Sequence, residues 1–222
     1  MNLRKSKGNM YDFIDYTCNA IKGKCLHDCE YCYMKKFGNL NDVRLDKNEL
    51  KGKIIENKFI FVGSGTDMFA DNVPNEWIKE VLDYCNCFDN KYLFQSKNPR
   101  KILDFINHDV FRKSVVCTTI ETNKYFPDIM RNAPKIADMV SAMNKIANYV
   151  NTFVTVEPVM QFDLNDMVDC LKKCKPAQVN IGANSRNDIK LPEPSKDEVL
   201  ELINELNKFT KVHAKANLNR LK

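Results

Sequence analysis

Short apolar runs alternate with longer amphipathic stretches along most of this 222-residue chain, and this alternation limits the fold more than any other feature. A strand buried on both faces of a parallel sheet reads as a brief continuous apolar run, whereas a helix lying on that sheet shows a 3.6-residue period. Runs of the first kind occur at 11–16, 58–62, 91–94, 114–119, 152–156 and 178–181, with a weaker seventh at 211–214. Helical patterns fall between them at 75–85, 134–150, 164–173 and 195–209. The last of these opens with Ser195-Lys196-Asp197-Glu198, in which serine and glutamate can satisfy early helix amides reciprocally. Parallel neighbours need crossover connections, and the helices supply them. Six or seven such units are too few for a closed eight-fold barrel, so the expected α/β architecture is an open, partial (βα)6 barrel with a parallel sheet and outer helices.

Parallel strands place their C-terminal ends on one rim, where the side chains of a common site gather. Each expected strand end turns polar. Gly63-Ser64-Gly65-Thr66-Asp67 follows the second strand, Gln95-Ser96-Lys97-Asn98 the third, and Thr118-Thr119-Ile120-Glu121-Thr122-Asn123 the fourth. Val156-Glu157-Pro158 ends the fifth, and Gly182-Ala183-Asn184-Ser185-Arg186 the sixth. Glu157 stands between apolar neighbours that would strand an unpaired charge, which points it at a cavity. Lys97 and Glu157 are the candidate catalytic side chains. Lys215 and Asn217 could reach the same rim, with a solvated tail as the plainer reading.

The loop after the first strand holds Cys25-Leu26-His27-Asp28-Cys29-Glu30-Tyr31-Cys32, three thiols at C-x3-C-x2-C spacing. Thiolate is the soft ligand of iron–sulfur clusters, which normally take four, so a compact set of three leaves one iron for a non-protein ligand. A structural zinc site would ordinarily pair C-x2-C with a second His/Cys pair downstream, and none is evident. Cys85, Cys87, Cys170 and Cys174 could hold a second cluster, but buried free cysteine is the commoner case. Cys18 and Cys117 read as core.

With 44% hydrophobic residues the chain can build one good-sized core, and a single domain over 1–222 is expected. No apolar stretch approaches the roughly 18 to 20 residues that span a bilayer, and Met1-Asn2-Leu3-Arg4-Lys5 precedes no apolar signal core. Nine cysteines, an odd number with three at one site, argue against a secreted disulfide framework and for the reducing cytoplasm. The formal net charge of +5 permits a nucleic-acid or phosphorylated partner without requiring one. No nucleophile-elbow or phosphate-loop motif supports a hydrolase.

The cysteine spacing, with Tyr31 at the aromatic position, resembles the C-x3-C-x-aromatic-C signature of the radical S-adenosylmethionine (SAM) enzymes. Phrases such as Gly65-Thr66-Asp67-Met68-Phe69 and Leu93-Phe94-Gln95-Ser96-Lys97-Asn98-Pro99 are similar to small phage and mobile-element members, a group akin to the catalytic core of spore photoproduct lyase. The resemblance implies the partial (βα)6 fold. It implies a [4Fe-4S] cluster on Cys25, Cys29 and Cys32, and SAM as cofactor, with Tyr31 near the adenine. The segment Gly63, Ser64, Gly65 and Thr66 would meet the SAM amino group, Thr119 and Glu121 its ribose or carboxylate, and Gly182 with Asn184 its adenine. A reductant such as flavodoxin or ferredoxin is implied as partner. The substrate is left open, with nucleic acid or a nucleotide admitted. Two alternatives stand beside this reading: a glycyl-radical activating enzyme acting on a partner protein, and a non-catalytic iron–sulfur or zinc interaction module.

Overall fold

The computed structural model describes residues 1–186 and 188–221. Ten strands form: β1 Arg4–Lys5, β2 Tyr16–Cys18, β3 Ile21–Lys22, β4 Arg44–Leu45, β5 Phe59–Val62, β6 Lys91–Gln95, β7 Ser114–Thr119, β8 Asn151–Val156, β9 Gln178–Ile181 and β10 Lys211–Ala214. The main sheet has eight strands in the order β1-β2-β5-β6-β7-β8-β9-β10. β1 pairs antiparallel with β2, and every later pairing in this sheet is parallel. The sheet does not close, since β1 and β10 end it without pairing to each other. This is the expected open α/β barrel, with the weak seventh strand present as β10.

Helices cross from strand to strand: α1 Asn75–Asn86, α2 Pro99–Ile102, α3 Pro127–Met130, α4 Ile136–Ile146, α5 Leu164–Lys173 and α6 Lys196–Leu206. α1 buries Ile78, Val81, Leu82 and Cys85, the i, i+3, i+4, i+7 stripe that one helical face presents. α6 begins with the expected capping box of Ser195 and Glu198. α4 is shorter than the expected 134–150, because Lys135 is extended at its start and the chain turns after Ile146. The long helices and the outer faces of the strands form the main core. No helix among the described residues is long and apolar enough to cross a membrane.

The first strand is misplaced by the sequence pattern. Residues 11–14 form a turn, and the ladder begins at Tyr16, paired in register with Ile60. The apolar residues of that run serve another purpose. Tyr11 and Ile14 pack with Phe61, Leu93, Val115 and Cys117 as a second core, with Met10 and Phe13 at its edge. Phe13 stacks on Tyr11 and meets Phe153 and His213 edge-on. The segment thus fills the inside of the half-barrel and reaches β10 at its open side.

A second unanticipated element controls the cysteine loop. β3 and β4 pair antiparallel, Ile21 with Leu45 and Lys22 with Arg44, and so pinch the base of the loop that carries the three thiols. Gly23 sits in the pinch at φ +116°, where an added Cβ would lie 2.4 Å from the Asp42 carbonyl oxygen. Only glycine fits there.

Candidate active site

A cleft of about 960 Å³ opens at the C-terminal ends of the strands, where the loops of a parallel barrel converge. That volume is at the upper end of the roughly 300–1,000 Å³ typical of single-ligand pockets, so there is room for more than one small group. One wall is the cysteine loop. Cys25, Cys29 and Cys32 all line the cleft; Cys29 is buried and the other two are half-buried. Burial pushes the Cys25 thiol up to about 12, against the opposing pull of the His27 and Asp67 amides. Burial raises Cys29 too, with the Lys97 ammonium pulling it the other way. Such thiols persist as thiolates when a cation is bound to them. Among the described residues no three metal-ligating side chains gather around one ion. By its chemistry the set of three thiolates fits an iron–sulfur cluster with one iron left open, whereas a structural zinc would ask for a fourth protein ligand beside them.

Beneath the loop lies a polar brace. Asp67 Oδ2 accepts from His27 Nε2 at 2.9 Å, Ser96 Oγ at 2.9 Å and the Lys97 amide at 2.8 Å, while Oδ1 accepts from the Phe69 amide at 3.0 Å. Burial alone would raise this carboxyl, but the hydrogen bonds from His27, Ser96 and Lys97 outweigh it and hold it below its usual value. His27 is buried, and its Nε2 must carry the proton because a carboxylate only accepts.

Beside the brace, Glu121 is fully buried. Its Oε1 accepts from both the Tyr31 hydroxyl and the Lys97 ammonium, and its Oε2 has no partner among the described residues. The Lys97 ammonium also lies 5.4 Å from the Tyr31 ring centroid. Burial works against the charge on Lys97, but Glu121 and Cys29 overcome it and raise the ammonium above its ordinary value. Burial, then Glu121, raises the Tyr31 hydroxyl.

The residues singled out from the sequence divide into those that face the cleft and those behind it. Tyr31, Gly63, Ser64, Gly65, Lys97, Thr119, Glu157 and Asn184 line it with the cysteines. Thr66 turns away, its hydroxyl donating to the Gly23 carbonyl at 2.8 Å, and so holds the cysteine loop's pinch. Glu121 stands behind Tyr31 and Lys97. Asn184 touches the cleft, yet its amide donates to the Arg186 and Ile189 carbonyls and shapes its own loop. Asn123 accepts from the Asp163 amide, away from the cleft. Of the other cysteines, Cys18, Cys85, Cys117 and Cys174 are buried, Cys170 is half-buried and Cys87 exposed.

No family model matches the sequence, and no curated protein matches it. Solved structures do. A spore photoproduct lyase variant with a dinucleoside spore photoproduct superposes with TM-score 0.67 at 11% identity, over 95% of this chain and 80% of that one. The lyase complexed with the same dinucleoside also gives 0.67 at 11%, over 93% and 78%. A double variant with bound AdoMet gives 0.60 at 12%, over 91% of this chain and 64% of that one. The chain shares the fold of these lyase structures.

On this fold, the far end of the cleft is built by residues that sequence reasoning undervalued. Lys215 is buried, not a frayed tail, and its ammonium donates to Glu157 Oε2. Asn217 and Asn9 both donate to Glu157 Oε1, at 2.9 and 2.6 Å. Nothing in the pattern around Asn9 marks it, since its partner is 148 residues away. Gly182 has a steric role here: an added Cβ would lie 2.6 Å from Glu157 Oε1 and 3.0 Å from Asn217 Oδ1. Gly182→Ala is therefore expected to push the Glu157 carboxylate off its three donors and to cost about 1–3 kcal/mol. Urea unfolding measures the loss, and an unchanged midpoint would show that Glu157 has room to yield.

Proposed function

We propose that this chain is a radical SAM enzyme: one catalytic core domain over 1–222, working in the cytoplasm, that cleaves SAM reductively and takes hydrogen from a substrate. The observation that carries the reading is the placement of Cys25, Cys29 and Cys32 on one wall of a cleft that the polar strand ends also line. Bound there, a [4Fe-4S] cluster with SAM on its free iron would supply one-electron cleavage of the SAM C5′–S bond, giving methionine and a hydrogen-abstracting 5′-deoxyadenosyl radical. The chain's own part is binding, orientation and exclusion of water. Gly63 and Gly65 leave backbone accessible at the cleft surface. The Gly65 amide, however, already donates to Asn19 Oδ1 at 2.7 Å, the Gly63 amide donates to the Cys18 carbonyl at 2.8 Å and the Ser64 carbonyl accepts from the Tyr33 hydroxyl at 2.8 Å, which leaves the Ser64 amide as the freer backbone donor of that turn.

Lys97, cationic between Glu121 and the cleft, is placed to hold a ligand carboxylate by exchanging partners with Glu121. Tyr31, fixed through its hydroxyl, offers a ring face to the cleft. A small reductant such as flavodoxin or ferredoxin would supply the electron. The likeness to a lyase whose structures hold a dinucleoside photoproduct favours a nucleobase-containing substrate, in nucleic acid or as a nucleotide.

The test is anaerobic cluster reconstitution, reduction with dithionite in the presence of SAM, and mass-spectrometric quantification of 5′-deoxyadenosine. Its formation in proportion to cluster content is expected. A cluster-loaded protein that neither binds nor cleaves SAM would overturn the reading in favour of a non-catalytic iron–sulfur module.

A further inference from the structure

The cleft has two chemically different ends. The thiols, Gly63–Gly65 and Lys97 come after β2, β5 and β6 and Thr119 ends β7, whereas Glu157, Ser185 and Lys215 follow β8, β9 and β10 at the other side of the sheet. The second end is completed by Asn9 and Tyr11 of the segment that fills the half-barrel. Of the residues read above as meeting SAM, only Gly182 and Asn184 stand at this end, and the Asn184 amide is spent on its own loop.

Its hydrogen-bond valences are nearly all fixed. Glu157 Oε1 accepts from Asn9 and Asn217, and its two lone pairs are thereby occupied. Oε2 accepts from Lys215 and keeps one lone pair. The Lys215 ammonium sits 4.6 Å from the Tyr11 ring centroid, and its remaining N–H groups have no acceptor among the described residues. The Tyr11 ring cannot turn aside, because its hydroxyl is held by Gln95 Oε1 at 2.8 Å and Thr155 Oγ1 at 2.7 Å. One acceptor and one donor therefore stand side by side, on a pair that is net neutral and mostly out of water, with side-chain exposures of 16% for Glu157 and 7% for Lys215. Met10, Tyr11 and Phe61 supply apolar wall beside them.

We propose that Glu157 and Lys215 are the substrate-orienting pair of this cleft, taking the uncharged edge of a planar heterocycle that carries an N–H donor next to a carbonyl acceptor. The substrate N–H donates to Glu157 Oε2, and the Lys215 ammonium donates to the substrate carbonyl. An anionic group would face the Glu157 carboxylate, and a cationic one the Lys215 ammonium, so neither is favoured. Asn9 is a positioning residue: it aims the carboxylate without reaching the ligand itself. The inference rests on the enzyme reading above and narrows its substrate to such an edge.

The experiment is ligand-observed NMR titration of the full chain with four probes: uridine, N3-methyluridine, ribose 5-phosphate and putrescine. Uridine is expected to bind, and N3-methyluridine, lacking the donor, to bind about tenfold more weakly or worse. Glu157→Gln and Lys215→Met should each weaken uridine by about tenfold. Asn9→Leu should reduce the preference for uridine over N3-methyluridine, whereas a merely structural role would weaken both alike. Because the methylated probe leaves the protein intact, the comparison survives any variant that fails to fold. Equal binding of the two nucleosides, tighter binding of ribose 5-phosphate or putrescine, or no uridine binding overturns the proposal. The readout needs no SAM cleavage. Uridine discrimination by a cluster-loaded protein that neither binds nor cleaves SAM would remove the enzyme reading and leave the subsite, and 5′-deoxyadenosine formation without uridine discrimination would remove only the subsite.

Discussion

Alanine at Cys29 is expected to abolish both cluster retention and 5′-deoxyadenosine formation, while Cys87→Ala changes neither. Cys29 is the most enclosed of the three loop thiols, 5% exposed, with its sulfur against the Met130 carbonyl. Burial raises its thiol, with the Lys97 and Glu121 charges acting on it in opposite directions. A set of three is already one short of the usual four thiolates, so losing another leaves two, too few to hold a cube against chelators and oxygen. Cys87 lies exposed at the end of α1, where its thiol reaches only the Asp83 carbonyl. Iron and sulfide per chain after reconstitution, the low-temperature EPR signal of the reduced protein and the yield of 5′-deoxyadenosine measure the contrast. Full iron content in the Cys29 variant would remove that residue from the ligand set.

The parts of this molecule that were legible in the sequence are those governed by local pattern. β5, β6, β7, β8 and β9 are apolar runs buried on both faces, and they stand where those runs predict. Three thiols within eight residues are a local signal as well, and the strand-end rule drew Lys97, Thr119 and Glu157 to one rim. What could not be read depends on partners far apart in the chain. Residues 11–14 alternate like a strand, yet Tyr11 and Ile14 are drawn into the half-barrel because the inward faces of β5, β6 and β7 need covering. The period of the residues is the same whether a ladder or a plug uses them. Thr66 and Glu121 sit on the rim by sequence, but Gly23 claims one and Tyr31 with Lys97 the other. Lys215 resembles any lysine near a chain end until Glu157 is placed beside it. β3 and β4 are two residues each and too brief to leave any periodicity, although they set the base of the cysteine loop.

The largest stability effect is expected at Asp67. This one carboxylate gathers donors from three places: His27 between the cysteines, Ser96 and the Lys97 amide after β6, and Phe69 in its own loop. Asp67→Ala leaves buried donors without an acceptor and frees the histidine that steadies the loop between Cys25 and Cys29. Removing one member of a buried, hydrogen-bonded charge site typically costs about 3–5 kcal/mol. Urea unfolding should show a loss of that size, and reconstitution should yield less cluster than in the wild type. The pH dependence has a definite sign. Despite the opposing effect of burial, the hydrogen bonds lower the folded-state carboxyl, so its stabilisation is fully present above the unfolded pKa of about 3.9. It is lost as pH falls through the lower, folded value. The gap in unfolding free energy between wild type and Asp67→Ala should therefore stay flat through neutral pH and shrink only in acid. A gap that shrank on raising the pH from neutral instead would mean that a group other than the Asp67 carboxyl sets the pH dependence of the brace.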